Sequence, residues 1–136
     1  MALFNEAITF LQENPTQYLA TVGLDGGAKV RPWRSLLIHD DKLWFCTANV
    51  KKVYAEIKAN PNVEFSATAE DNTWIRLSGR AVFEDNRAVK EQYMSEPLLK
   101  SIYQSADNPI LAVFYLAEAK AVIADFSSNP PREYAL

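Results

Sequence analysis

Cysteine and histidine are each present only once in this chain of 136 residues, and their scarcity excludes several kinds of chemistry. Cys46 has no second cysteine with which to form an internal disulfide, which favours a reducing compartment such as the cytoplasm. His39 precedes a predicted turn, where a single histidine is usually solvated. No group of cysteines and histidines has the spacing of metal ligands. The sequence therefore predicts no metal site.

Motifs for nucleophilic or phosphate chemistry are also missing. The chain contains no GxSxG, no P-loop and no GxGxxG. Cys46 lies in an apolar segment with no base beside it, which favours an inert, buried thiol. If the chain is an enzyme, a bound cofactor must carry the reaction.

Long apolar runs and an excess of positive charge are absent too. No run is long enough to cross a membrane, and residues 1–14 lack the basic start of a signal peptide. The net charge of −3 argues against nucleic acid as the main partner. The length and the 49% hydrophobic content are typical of one globular domain over residues 1–136. We therefore expect a cytoplasmic protein without membrane or nucleic-acid partners.

Short β-rich segments separated by turn residues dominate the sequence. Asp25-Gly26 and Asp40-Asp41 mark tight turns, and Pro32 should place its strand at an edge or in a bulge. The pattern predicts helices and strands in an α+β chain whose strands close into a small antiparallel barrel. The predicted strands are 17–24, 28–39, 42–47, 63–69, 74–84, 110–116 and 120–126. The predicted helices are 2–14, one beginning near Val50, 86–94 and a short one ending at Tyr103; the apolar face of the first is formed by Leu3, Phe4, Ala7, Ile8 and Leu11. The tail after residue 126 is predicted to be irregular.

Positive charge is concentrated in two segments that this arrangement brings together. The first is Lys29-Val30-Arg31-Pro32-Trp33-Arg34, in which Arg31 and Trp33 share one strand face. The second is Lys51-Lys52, at the start of a helix that Asn49 is placed to cap and that has Val50, Val53, Tyr54 and Ile57 on its apolar stripe. Cations are unfavourable there because the helix N-terminus is already partly positive. The cluster has the parts of a phosphate site, and a solvated basic face is the alternative on charge alone.

Three stretches resemble the pyridoxamine 5'-phosphate oxidase-like FMN-binding split barrels. They are LATVGLDGGAKVRPWR, LWFCTANVKKVYAEIKANPNVEF and WIRLSGRAVFED, which together lie within residues 19–85. The resemblance implies a six-stranded antiparallel split barrel that forms a homodimer with FMN at the interface. It also implies the cofactor-binding residues: Arg31, Pro32, Trp33 and Arg34 along the flavin, Thr47 at the end of a strand, Asn49 in the following loop, Lys51 and Lys52 on the phosphate, and Trp74 reaching the flavin of the partner subunit.

The chain departs from the true oxidase of this family in its tail. That enzyme recognises its phosphorylated substrate with C-terminal arginine and histidine residues, whereas DFSSNPPREYAL has only Arg132 and no histidine. The short general-stress and Nim-type members are therefore the better match. The resemblance favours an FMN-dependent oxidoreductase acting on a small organic molecule. The side chains left for the cleft are aromatic, namely Trp33, Trp74, Phe126 and Tyr134, and such surfaces favour a planar molecule.

Other functions stay open at this point. They are a non-enzymatic flavin carrier or electron-transfer protein, a true pyridoxamine 5'-phosphate oxidase, and a haem or deazaflavin binder of the same barrel class. His39 is a poor axial ligand for haem because of its position before a turn. A small nucleic-acid-binding barrel is disfavoured by the acidic net charge. For the dimer, Trp33, Trp74 and residues 110–116 are candidate interface residues.

Overall fold

The structure is a computed structural model and describes residues 5–136. It is mainly an antiparallel sheet with four helices, which confirms the predicted fold class. Leu3 and Phe4 of the predicted first helix lie outside the described residues. The elements are α1 (Glu6–Glu13), β1 (Gln17–Val22), β2 (Ala28–Trp33), β3 (Leu37–His39), β4 (Lys42–Ala48), α2 (Lys52–Ala59), β5 (Asn62–Thr68), β6 (Trp74–Phe83), α3 (Arg87–Tyr93), α4 (Pro97–Tyr103), β7 (Leu111–Ala124) and β8 (Arg132–Ala135).

The strands form one sheet in the order β2-β1-β5-β6-β7-β4-β3, and β8 pairs with β7. The predicted hairpin turns are confirmed. Gly26 has φ 82° between β1 and β2, and Asp40 and Asp41 have φ 53° and 57° between β3 and β4. Two successive residues with positive φ are typical of the tight turns that join twisted antiparallel strands. Local turn chemistry therefore sets the hairpin connections.

Eight strands are present instead of the six that the resemblance implies. The predicted strand 28–39 is two strands, because the chain leaves the ladder after Trp33 and pairs again only from Leu37. The tail is irregular only as far as residue 131, since β8 then adds a short strand to β7. By contrast, the two strands predicted at 110–116 and 120–126 are joined in one long strand, β7.

The long strand β7 stays continuous because it absorbs an irregularity near its middle. Glu118 has φ 56°, and the pairing with β6 shifts its register between Ser78 and Arg80. Gly79 lies at this shift, and a Cβ there would approach the carbonyl oxygen of Ala117 to 3.1 Å. Such a bulge lets a strand bend and twist without ending.

The main core lies inside the curved sheet and is built around stacked aromatic rings. Phe45 stacks on Phe65 with a centroid distance of 4.2 Å and on Phe114 at 5.5 Å. A second cluster covers the other face of β4, where Trp44 and Cys46 pack beneath α3 and α4. The predicted burial of the Cys46 thiol is confirmed, and this burial raises its pKa to about 11.

The segment 110–116 is wrong as a candidate dimer interface. It pairs with both β4 and β6, and its side chains enter both core clusters, with Leu111, Val113 and Phe114 buried. A strand covered on both faces and paired at both edges offers no surface to a second subunit.

The edge strands of the sheet are β2 and β3, and the sheet stays open here because no ladder joins β2 to β3 or to β4 among residues 5–136. The link between β2 and β3 crosses this opening, since the Ser35 hydroxyl accepts a hydrogen bond from the backbone N–H of Cys46 at 3.1 Å. The Trp33 ring lies 6.5 Å from that of Phe114. The opening therefore has the end of β4 on one side and the end of β2 on the other. Within the described residues, no helix has the length and apolarity needed to span a membrane.

Candidate cofactor site

Helix α2 begins with no side-chain cap. Lys51 is its N-cap residue, with extended backbone (φ −81°, ψ 151°), and the first turn contains no acidic residue. The predicted cap by Asn49 is wrong, because the Asn49 amide donates instead to the carbonyl oxygen of Pro109 at 2.9 Å. The first backbone N–H groups of α2 are thus left for solvent or a ligand.

Lys51 and Lys52 are exposed at this uncapped start. Neither ammonium group forms an ion pair with another residue of the described chain. The i,i+4 spacing of Lys52 and Glu56 on α2 predicts a weak pair between them, but Glu56 is buried and paired with Arg31 instead. Val50 is also exposed, so it does not belong to the apolar stripe of Val53 and Ile57. Two unneutralised ammonium groups at a helix N-terminus are the arrangement that attracts an anion.

Buried polar atoms without partners lie near the ends of β4 and β2. Thr47 at the end of β4 is 3% exposed, and its hydroxyl has no hydrogen-bond partner among the described residues. The same holds for the indole N–H of Trp33 at the end of β2. Leaving a buried polar group unpaired costs about 1–3 kcal/mol. These two groups are therefore suited to receive a ligand that brings its own hydrogen-bonding atoms.

Gln17 is a third such residue, which sequence reasoning missed. It is fully buried opposite Trp33 in the ladder between β1 and β2, and neither its amide oxygen nor its nitrogen has a partner in residues 5–136. A glutamine in a β-rich segment would ordinarily be expected on the solvent face. Its position beside Trp33 enlarges the polar lining at this end of β2.

The two arginines of the basic segment have different environments. Arg31 points inward, on the same face as Trp33 as predicted, and donates to a carboxylate oxygen of Glu56 at 2.8 Å. Arg34 lies beyond the end of β2, is exposed, and donates only to the Thr16 hydroxyl at 2.8 Å. Arg31 is therefore neutralised inside the protein, and Arg34 carries a cation that no carboxylate of the described chain pairs with. Pro32, between them, faces outward on the exposed side of β2.

Trp74 lies apart from the other candidate residues. It begins β6, is partly buried, and packs against the exposed ring of Phe126 with a centroid distance of 4.9 Å. No hydrogen bond or ring contact in the described chain joins it to Lys51, Lys52 or Arg34. The assignment of Trp74 thus depends on a second subunit.

A cleft of about 700 Å³ extends from Arg34 toward the helices. Leu11 of α1, Leu36 of the link between β2 and β3, and Leu99 of α4 give it apolar walls, and Gln92 of α3 contributes an amide. Its size is in the range of small-molecule sites in proteins.

The single arginine of the tail is engaged in the fold. Arg132 forms two hydrogen bonds to the Glu6 carboxylate, at 2.8 and 2.6 Å, and the Tyr134 hydroxyl donates to the same group. These bonds, led by that of Arg132, lower the pKa of Glu6 to about 2. Tyr134 is accordingly a link between β8 and α1, and not a free wall of a cleft.

FMN, the cofactor that the resemblance implies, can be tested against these residues. Its phosphate needs cationic and N–H donors, and the start of α2 supplies Lys51, Lys52 and uncapped amides. Its ring and side chain need hydrogen-bond donors within a partly buried opening, and the orphaned groups of Thr47 and Trp33 are donors. The residues present fit the group.

Comparisons with known proteins agree with this architecture. A family model described as pyridoxamine 5'-phosphate oxidase matches residues 3–126. A nimC/nimA family protein from Clostridium acetobutylicum is 34% identical, with a TM-score of 0.86 over 96% of this chain and 90% of that chain. General stress protein 26 from Bacillus anthracis is 22% identical, with a TM-score of 0.77 over 94% of each chain.

A pyridoxamine 5'-phosphate oxidase-related, FMN-binding protein from Nostoc punctiforme shares the fold at 15% identity, with a TM-score of 0.66 over 98% of this chain and 89% of that chain. The comparison with curated proteins found no match. The extent of the family match and the 34% identity to the nimC/nimA family protein show that this chain belongs to the pyridoxamine 5'-phosphate oxidase-like family.

Proposed function

We propose that the chain binds FMN with its phosphate at the start of α2, and that it works as a homodimeric, cytoplasmic FMN-dependent oxidoreductase on a small planar organic molecule. The observation that carries this proposal is the uncapped start of α2, where Lys51 and Lys52 have no acidic partner in the described chain. The two lysines are unfavourable there until an anion arrives. The FMN-binding protein of the same fold supports this choice of cofactor.

Each residue at the opening has a role in this proposal. Lys51 and Lys52 bind the phosphate together with the free N–H groups of α2, and the Thr47 hydroxyl donates to the cofactor from the end of β4. The Trp33 indole donates from the other side. Arg34 stands next to the ring and favours its anionic, reduced form because its charge is not cancelled by a carboxylate. Bound FMN would supply hydride transfer.

The true oxidase activity is disfavoured by the tail. A phosphorylated substrate needs a cationic clamp, and the one tail arginine already binds Glu6 in a bidentate pair. The tail has no histidine to replace it. We therefore propose a substrate without a phosphate group.

The cleft beside Arg34 is the proposed route of that substrate. Leucine side chains from α1, α4 and the link between β2 and β3 would hold a flat apolar molecule, and the Gln92 amide would orient a polar substituent. Phe126 and Tyr134 are less suitable walls, since one packs on Trp74 and the other binds Glu6.

The direct test has a binding arm and a reaction arm. We expect the purified protein to bind FMN and riboflavin, with FMN at least about tenfold tighter because the phosphate adds charged contacts. With reduced FMN bound, anaerobic addition of quinones or nitroaromatics should give saturable oxidation, and pyridoxamine 5'-phosphate in air should give none. Equal affinity for the two flavins would contradict the phosphate site. Tight FMN binding without saturable turnover would instead support a flavin carrier.

A further inference from the structure

Glu56 is a buried carboxylate that the phosphate site itself does not use. It lies on α2, one turn after Lys52, and only 2% of the residue is exposed. One of its oxygens accepts from the Arg31 guanidinium at 2.8 Å and from the Thr21 hydroxyl at 2.8 Å. Arg31 in turn donates to that hydroxyl at 2.8 Å and to the carbonyl oxygen of Leu19 at 3.1 Å.

This network joins three elements at the base of the proposed FMN site. Glu56 belongs to α2, Thr21 and Leu19 to β1, and Arg31 to β2. A buried carboxylate is stable only with a partner of opposite charge and hydrogen bonds to its oxygens. The bonds of Glu56 therefore hold α2 against β2. They thereby set the position of the first turn of α2, which contains Lys52, relative to the end of β2 at Trp33.

The pair also determines which positive charge the opening presents. A carboxylate in direct contact with a guanidinium cancels most of its field at a distance. Arg31 is paired in this way and only a quarter of its side chain is exposed. Arg34 has no such partner in the described chain.

We propose that Glu56 is a positioning residue of the FMN site. It holds the start of α2 in a fixed position against β2. It also cancels the charge of Arg31, so that Arg34 is the cation whose charge acts on a bound flavin. This inference rests on the proposed function and adds to it a residue that does not contact the cofactor.

The test uses charge-neutralising variants and the reduction potential of bound FMN. Glu56→Gln keeps the shape of the side chain but leaves Arg31 as an uncancelled cation. The reduced, anionic flavin should then bind at least tenfold more tightly relative to the oxidised form, which is a positive shift of about 30 mV for a two-electron couple. Arg31→Gln should give no such positive shift, because it leaves no additional uncancelled cation beside the site.

The double variant Arg31→Gln/Glu56→Gln decides between positioning and direct contact. If the two charges cancel each other, its potential returns to that of the wild-type protein. If Arg31 touches the flavin, the double variant has a potential below that of the wild-type protein, and the proposal is overturned. Unchanged potentials in all three variants would also overturn it, since they would assign Glu56 a purely structural role.

A second readout needs no cofactor. In the apo protein, Glu56→Gln should increase amide hydrogen exchange in the first turn of α2 more than at its C-terminal end, whereas Lys58→Gln on the exposed face of α2 should not. Uniform exchange along α2 in Glu56→Gln would contradict the positioning role.

If Glu56→Gln does not fold, Thr21→Val removes two hydrogen bonds of the network, one to Glu56 and one from Arg31, without changing charge and should give the same pattern of exchange. Failure of the wild-type protein to bind FMN would refute the proposed function, whereas these exchange data test Glu56 separately.

Discussion

At the scale of single residues, Thr47 links the folded protein to its proposed ligand. Its hydroxyl is buried at the end of β4 and has no hydrogen-bond partner among the described residues. Such a group lowers the free energy of unfolding, because no new hydrogen bond compensates for the loss of its hydration. The hydroxyl is therefore better explained by binding than by folding.

Thr47→Val should separate the two roles. Replacing the hydroxyl by a methyl group of similar shape should raise the free energy of unfolding of the apo protein by about 1 kcal/mol, because an unpaired buried polar group is removed. The same change should weaken FMN binding by about fivefold to tenfold, because a donor to the cofactor is lost. Urea unfolding and flavin fluorescence titration measure the two effects.

The matched control for this prediction is Thr68→Val, at the exposed end of β5. It should leave FMN binding unchanged. Destabilisation of the apo protein by Thr47→Val, with no effect on FMN, would mean that the hydroxyl has a structural partner and no role in binding.

At the scale of elements, β8 and α1 are connected by the Glu6 carboxylate. Its pKa is lowered from an ordinary 4.5 to about 2, first by the hydrogen bond from Arg132 and then by that from Tyr134. A lowered folded-state pKa means that the pair stabilises the fold at pH values above the unfolded pKa. This contribution is lost as the pH falls through the interval from about 4.5 to about 2. The side chain is 44% exposed, so solvent screening keeps the effect modest.

Glu6→Gln should reveal this contribution as a pH-dependent difference. The wild-type protein should exceed the variant in unfolding free energy by a constant amount above pH 5, and the difference should shrink toward zero as the pH approaches 2. Urea unfolding at several pH values measures it, with Glu13→Gln as the control, because it removes a carboxylate from the same helix and leaves the pair between Glu6 and Arg132 in place. A difference that is the same at pH 6 and pH 3 would argue against the ion pair.

The elements also show how far the sequence alone leads. The hairpins were predictable because Asp25-Gly26 and Asp40-Asp41 act locally, through residues that tolerate positive φ. The cap of α2 was not, because Asn49 finds a competing acceptor in Pro109, which lies far along the chain. The continuity of β7 could not be predicted, because it depends on the irregularity at Glu118, where the pairing with β6 shifts its register.

The same contrast holds for the candidate site. Alternation along β2 correctly placed Arg31 and Trp33 on one face. The partner of Arg31 could not be predicted, because Glu56 is 25 residues away and meets it only after α2 packs on β1. The i,i+4 spacing on a helix predicts a pair of Glu56 with Lys52. The buried hydrogen bonds from the Arg31 guanidinium and the Thr21 hydroxyl are the stronger interaction.

At the scale of the whole molecule, the outer face of β1 and β2 is the proposed dimer surface. Tyr18, Val22 and Val30 lie on this face and are exposed. An apolar patch on a sheet face that no helix covers is typical of an interface. The second subunit would cover the outward side of β2 and bring its own Trp74 toward the flavin.

We therefore expect the protein to sediment as a dimer at micromolar concentration. Val30→Glu should shift it toward the monomer, because a carboxylate in an apolar interface loses its hydration, and FMN should be lost in parallel. Ile102→Glu, on the exposed side of α4, is the control that should leave the dimer intact. A wild-type monomer that retains FMN would contradict this assembly.

The most direct test of the account compares two flavins in two proteins. FMN and riboflavin differ by the phosphate alone, and Lys51→Ala/Lys52→Ala removes the two ammonium groups proposed to bind it. The double variant should lose about 3–6 kcal/mol of FMN binding at roughly 1.5–3 kcal/mol per charged contact, should bind riboflavin as the wild-type protein does, and should be at least as stable as wild type without cofactor. Equal losses of FMN and riboflavin, or full retention of FMN affinity, would contradict the placement of the phosphate at the start of α2.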